Sequence, residues 1–229
     1  MAAHIGIVAV SAEGAALCYQ TICAEAGARM GPYRHPEITM HTFPLAAYVR
    51  HANARDWQGV ADMLLQSVQK CADAGAEFAV CPANTPHEAF HLMEPRSPIP
   101  WLHIVEVVAD AADAGKCTKL GVLGTRALME GTVYRETLGR RGLAMVIPEG
   151  RHRERIDSVI FEELVQGVFK PATRDYLRGV VSDLKDAGCD AAVMACTEIP
   201  LVLMQDDVDI PLFDSTRLLA RAALNKALA

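Results

Sequence analysis

Ala187-Gly188-Cys189-Asp190-Ala191-Ala192-Val193-Met194-Ala195-Cys196-Thr197-Glu198 carries three structural signals in one short stretch. A glycine ends a helix, an apolar run follows, and a polar turn closes the unit. Glycine is common just past a helix because it adopts left-handed dihedrals without a Cβ clash. Ala191–Met194 is apolar throughout, as a strand covered on both faces is. The same order occurs earlier in the chain. Ala74-Gly75-Ala76-Glu77 leads into the apolar run Phe78–Cys81 and the turn Ala83-Asn84-Thr85. Cys196 lies eight residues past Gly188, and Ala83 lies eight residues past Gly75.

The pattern extends in both directions from these two stretches. Ile5–Val10 reads as a first strand, Ala15–Ala26 as a helix, and His41–Phe43 as part of a second strand. Trp57–Ala74 has helical periodicity, with Val60, Met63, Leu64 and Val68 on one face. In the second half, Lys119–Leu123 reads as a strand, Gly131–Gly139 lies in a helix, and Arg174–Ala187 is a helix. Gly6-Ile7-Val8 corresponds to Gly121-Val122-Leu123, and Tyr19 and Tyr134 each fall thirteen residues after the leading glycine. Ile99-Pro100-Trp101-Leu102-His103 corresponds to Ile210-Pro211-Leu212-Phe213-Asp214. Each of those runs opens an apolar helix, at 104–112 and 218–224.

Strands alternating with helices predict βα units and a parallel sheet covered on both faces. The expected fold is therefore α/β, with two pseudo-symmetric lobes. Each lobe is a mostly parallel sheet flanked by helices, and a ligand cleft lies between them. The expected boundaries are 1–98 plus 208–229 for the first lobe and 99–207 for the second.

Composition narrows the function. Hydrophobic residues make up 51% and charged residues 22%, which is a globular balance. The formal net charge is -6 and no basic tract stands out, so nucleic acid is not an expected partner. No apolar run approaches the roughly 20 residues of a membrane helix. The N-terminus Met1-Ala2-Ala3-His4 lacks the basic region of a signal peptide. Seven cysteines at irregular spacing, with no CxxC pair, do not form a disulfide framework and fit a reducing cytoplasm. Most of them, among them Cys18, Cys23, Cys71, Cys117 and Cys189, read as small buried side chains or inert thiols. The eight histidines show no metal-ligand spacing, so no metal is expected. No turn carries GxGxxG or GxxxxGK[ST], so nucleotide phosphate binding is not supported.

Parallel sheets place their sites at the C-terminal ends of strands, and both polar turns sit there. Cys196 follows a strand and precedes a turn, where backbone N–H groups and a helix N-terminus are expected to lower its pKa and favour the thiolate. Thr197 offers a hydroxyl and an N–H to an anion, and Glu198 can hydrogen-bond locally or cap the turn. Asn84 and Thr85 supply an amide and a hydroxyl at the matching place, although both are also ordinary turn residues. His87 reads equally as a base and as a helix-start histidine bonded to backbone. Ser11 and Thr125 follow the two corresponding first strands, where each can cap a helix or donate to a carboxylate. Arg50 follows the second strand and can hold a carboxylate in its fork, although exposed arginines are ordinary. No G-x-S-x-G exists for a serine hydrolase, and no cysteine-protease signature surrounds Cys196.

The run Ala191-Ala-Val-Met-Ala-Cys196-Thr-Glu-Ile-Pro-Leu201 resembles the second cysteine motif of the aspartate/glutamate racemase superfamily. Pro82-Ala83-Asn84-Thr85-Pro86-His87 resembles its first motif, and Ile160–Gly167 resembles the stretch upstream of the second. The resemblance spans nearly the whole chain. It implies two pseudo-symmetric lobes, no cofactor, frequent homodimers, and a small carboxylate or amino-acid substrate. It also implies a thiolate that takes the Cα proton on one face and a thiol that returns one from the other. The first cysteine position is Ala83 here, which moves no proton. Cys81 and His87 are the nearby substitutes, with water or substrate as a third possibility. The position usually held by lysine near the end of the upstream stretch is Gln166. The expected activity is thus a cofactor-independent amino-acid racemase with Cys196, and with His87 as candidate partner. The alternatives are a single-cysteine decarboxylase or isomerase on a small dicarboxylate, resembling arylmalonate decarboxylase, and a carboxylate-binding protein without chemistry.

Overall fold

The computed structural model describes residues 2–229. They divide into two compact units, 2–104 with Thr216–Ala229, and Val105–Ser215. The boundaries expected at 98/99 and 207/208 therefore move to 104/105 and 215/216. The reason is strand pairing: two short strands that the sequence did not announce each complete the sheet of the unit before them.

The first unit runs β1 (Ile5–Ala9), α1 (Ala12–Met30), β2 (Ile38–Thr42), α2 (Leu45–Asn53), α3 (Trp57–Asp73), β3 (Phe78–Val80), α4 (Phe90–Met93) and β4 (Trp101–Leu102). The second runs α5 (Ile104–Ala114), β5 (Lys119–Leu123), α6 (Arg126–Glu130), α7 (Val133–Arg140), β6 (Ala144–Val146), α8 (Gly150–Glu162), α9 (Pro171–Asp186), β7 (Ala191–Met194) and β8 (Leu212–Asp214). Helix α10 (Ser215–Ala227) returns to the first unit. All strand pairs are parallel, in the order β2-β1-β3-β4 in one sheet and β6-β5-β7-β8 in the other. This is the α/β architecture that the alternation of strands and helices predicts.

The sequence repeat is also a repeat of register. Gly6 pairs with Ala79, and Gly121 pairs with Ala192. Ala79 pairs with Trp101, and Ala192 pairs with Leu212. Ala79 N donates to Pro100 O at 2.8 Å, and Ala192 N donates to Pro211 O at 2.9 Å. The helix stops repeat too. Gly75 and Gly188 have φ of 98° and 85°, a region that L side chains rarely adopt. The following N–H in each case, of Ala76 and Cys189, bonds six residues' span back to Cys71 O and Leu184 O at 3.0 Å. These are Schellman closures, so α3 and α9 enter β3 and β7 by the same turn.

Each sheet buries one face against its long crossover helices. In the first unit Val8, Ala79, Cys81 and Ala83 pack with Val60, Leu64, Val68 and Cys71 of α3. In the second, Leu123, Ala192, Met194 and Cys196 pack with residues of α8 and α9, among them Ile156, Val159, Leu177, Val181 and Leu184. Ala83 and Cys196 thus occupy equivalent places in the two cores. Gly121 is where β5 and α9 come closest: a Cβ there would stand 2.7 Å from Leu184 Cδ1. Gly121→Ala should therefore cost about 1–3 kcal/mol by overpacking, read as a lower urea midpoint with unchanged circular dichroism.

Some local expectations change. Gly131–Gly139 is not one helix, because α6 ends at Glu130 with Gly131 as its cap and α7 starts at Val133. The matched tyrosines consequently part company. Tyr19 is exposed on the continuous helix α1, while Tyr134 is fully buried in α7. The short strands β4, β6 and β8, and the helices α2 and α8, were not evident from periodicity, since β6 and α8 carry few buried positions. Among the described residues, no helix is long and apolar enough to cross a membrane.

Candidate functional site

The strand order fixes where side chains from different loops gather. In each sheet the connections from the two central strands leave in opposite directions, and such switch points gather loops at the strands' C-terminal ends. Ser11 follows β1, and Ala83-Asn84-Thr85 follows the neighbouring β3. Thr125 follows β5, and Cys196-Thr197-Glu198 follows the neighbouring β7. Ala195 N donates to Leu123 O at 2.7 Å, which ties the second pair of turns together.

Ser11 and Thr125 do the same structural work. Ser11 Oγ accepts from Gly14 N at 3.3 Å, and Thr125 Oγ1 accepts from Leu128 N at 3.3 Å, capping α1 and α6. Asn84 and Thr197 are buried, and Thr85 is partly buried. Arg50 comes after β2, exposed in the last turn of helix α2. Gln166 is exposed at the end of a 3₁₀ turn that Gly167 closes with φ 71°.

Cys196 is buried, and its Sγ donates to Glu198 Oε2 at 2.9 Å. The expected lowering of its pKa is overturned. Burial in the α8–α9 core holds the thiol well above its ordinary range, and the adjacent Glu198 carboxylate pushes it further. Asp157 adds a smaller upward push, while its Oδ1 accepts from Arg126 N at 2.7 Å. The helix N-terminus expected to offset this is only a 3₁₀ turn, Ile199–Leu201, too short to carry a macrodipole. Cys196 is therefore a neutral thiol, suited to donating a proton.

On the matching strand the acid–base groups are held differently. His87 is buried, its Nδ1 bonds Ala83 O at 2.9 Å, and Ile104 N donates to its Nε2 at 3.5 Å. That pairing fixes the neutral tautomer with its proton on Nδ1. Burial, followed by the neighbouring His103 ring 4.6 Å away, holds its pKa well below the usual histidine range. Of the two readings of His87, the structure gives the backbone-bonded one, with both nitrogens engaged. Cys81 is also buried, with its Sγ turned to Ala83 O at 3.9 Å and its pKa pushed up by burial to about 12.

These thiols give a pH dependence with a definite sign. Their folded pKa values lie above the unfolded value of 9.0, so the stability they confer is complete below pH 9. It is lost as pH rises, because only the unfolded chain then releases the protons. Above pH 9 each thiol should cost about 1.4 kcal/mol per pH unit. Urea midpoints between pH 8 and pH 10.5 would show this, and the slope should shrink in Cys81→Ala.

Residues that sequence reasoning did not assign to the site also lie around the end of β7 or act on Cys196. Ser215 Oγ donates to Met194 O at 2.9 Å, at the end of β7. Tyr134 and Ser215 share a hydrogen bond that eases the strong upward push of burial on the phenol. Asp157 was missed because its segment, Arg151-His-Arg-Glu-Arg-Ile-Asp157, reads as a solvated helical face. Among the described residues, no group of three or more His, Cys, Asp and Glu is arranged to hold a metal.

Comparison with known proteins agrees with this architecture. The chain is 23% identical over 199 residues to the broad specificity amino-acid racemase RacX of Bacillus subtilis, covering 85% of this chain and 83% of the other. A structure from Yersinia pestis, provisionally assigned as an Asp/Glu racemase, superimposes with a TM-score of 0.91 at 30% identity, covering 99% of this chain and 100% of that one. An aspartate racemase homologue from Pyrococcus horikoshii superimposes with a TM-score of 0.86 at 27% identity, covering 100% of both chains. The family model for Asp/Glu/Hydantoin racemase matches residues 5–223, so the repeated βα units and their Cys196 turn belong to a member of that family.

Proposed function

We propose that the chain is a cofactor-independent amino-acid racemase in which Cys196 moves the proton at Cα. The observation that carries this reading is a buried, neutral thiol at the C-terminal end of β7, hydrogen-bonded to Glu198, in a chain of this family. A thiol held above its usual pKa gives up its proton only to a strong base, and an α-carbanion is one. Donors around the substrate carboxylate would spread the carbanion's charge, the role proposed for Thr197, Asn84, Thr85, Ser11 and Thr125. Arg50 is proposed as a further carboxylate partner. His87 serves as a positioning residue, since its nitrogens hold Ala83 and Ile104. The proton leaving Cα on the other face passes to water or to a substrate group, and the Cys196 thiolate left behind takes a proton back from solvent before the next turnover. The test is incubation of single enantiomers of a panel of amino acids in D₂O. Cα deuterium and the opposite enantiomer should appear together; no exchange across the panel would overturn the proposal.

Ala83 favours a second reading, a lyase or isomerase on a small dicarboxylate with Cys196 as sole acid. Loss of CO₂ from a substituted malonate would leave an enediolate, which the thiol protonates on one face. Release of CO₂ that Cys196→Ala abolishes would support it. No turnover with malonates or maleate would remove it. The resemblance also supports a cytoplasmic homodimer, which sedimentation equilibrium would test as twice the 24.8 kDa chain mass.

A further inference from the structure

Glu198 carries a buried polar atom that the described residues do not satisfy. Its side chain is only 3% exposed. Oε2 accepts from Cys196 Sγ, and Oε1 is buried with no hydrogen-bond partner among the described residues. A buried carboxylate oxygen without a partner is costly, and native proteins rarely leave one. Its neighbours do not relieve it. The nearest groups acting on the same thiol are carboxylates, Glu198 itself and Asp157. The core that encloses Cys196 beside it is apolar and includes Ile199, Val202, Leu203 and the α8–α9 face.

We infer that Glu198 is the anchor for the substrate's ammonium group, which binds Oε1 while Oε2 keeps Cys196 oriented. This inference rests on the amino-acid reading above and sharpens it to a requirement for a free α-ammonium. The geometry suits the chemistry. Cα and its amino nitrogen are bonded neighbours, so one carboxylate can serve both the thiol that reaches Cα and the nitrogen beside it. A cation against Oε1 supplies a charge-assisted partner where the chain offers none. A dicarboxylate without an amino group would instead bring two more negative charges to a buried one, which is unfavourable in a poorly screened interior. Glu198 therefore selects amino acids over the corresponding diacids and simple acids, and it disfavours the malonate reading.

Isothermal titration calorimetry on the intact protein tests this with matched pairs: aspartate with succinate, glutamate with glutarate, and alanine with propionate. In the wild type at least one amino acid should bind about tenfold or more tighter than its deaminated partner. Glu198→Gln, which keeps the shape and removes the charge, should cut that preference by about fivefold or more. Should the Gln variant lose its melting transition, Glu198→Asp is measured instead, with the same reduction expected because the charge is withdrawn by one methylene. A wild-type preference below tenfold in every pair, absence of binding included, overturns the inference. So does a preference that survives the substitution within fivefold. Deuterium exchange on the same samples separates the two readings. Exchange without a Glu198-dependent preference sinks the anchor alone, and the preference without exchange sinks the racemase alone.

Discussion

Cys196→Ala should lower Cα proton transfer by about 10²–10⁴-fold, the usual worth of a positioned acid or base. Alanine leaves nothing at the end of β7 that can carry a proton. It also leaves Glu198 Oε2 without the thiol that now donates to it. Part of any loss could then come from a disturbed turn, and Cys196→Ser separates the two causes. Serine keeps an O–H for Glu198, but its hydroxyl is a far weaker acid than a thiol. If chemistry is the issue, both variants should fall together with wild-type circular dichroism. A serine variant near wild-type activity would show that Cys196 only shapes the turn. Activity is best read as deuterium entry at Cα, since racemisation also reports the return step.

Phe78→Ala should cost about 3–5 kcal/mol, the largest loss of stability expected from a single change in the first unit. Phe78 is 1% exposed on β3, paired with Ile5 in the middle of its sheet. Its neighbours in sequence, Ala79 and Cys81, face α3, so the ring lies on the opposite face. There Lys226 of α10 stands 5.4 Å above its centroid. The cavity would therefore loosen α10 from a sheet that depends on it. Chemical denaturation would give the loss directly. Phe78→Leu, which keeps most of the volume, should recover more than half of it. A drop below about 1 kcal/mol for the alanine variant would mean that the site collapses freely.

The two changes differ in how far the sequence alone could foresee them. Phe78 in an apolar run between Gly75 and a polar turn reads as core without any structure. Cys196 at the end of a matching run reads as a site residue by position, but its charge state does not. The expectation of a thiolate rested on a helix N-terminus that proves to be a three-residue 3₁₀ turn. His87 shows the same limit. Its Nε2 partner, Ile104 N, lies 17 residues away and is brought to it only by the pairing of β3 with β4. The helix that carries Arg50 was not legible either, because α2 has no buried residues to mark its period.

What the sequence determined by itself was the repetition: the order of strands and helices, the glycine stops at Gly75 and Gly188, and the equivalence of Ala83 with Cys196. These follow from local dihedral preference and hydrophobic period, which neighbouring residues set. Tertiary structure alone decided that Cys196 is a neutral thiol, that both nitrogens of His87 are engaged, and that one oxygen of Glu198 is buried without a partner. Those properties depend on dielectric surroundings and on hydrogen-bond partners from distant segments, and no window of sequence contains them.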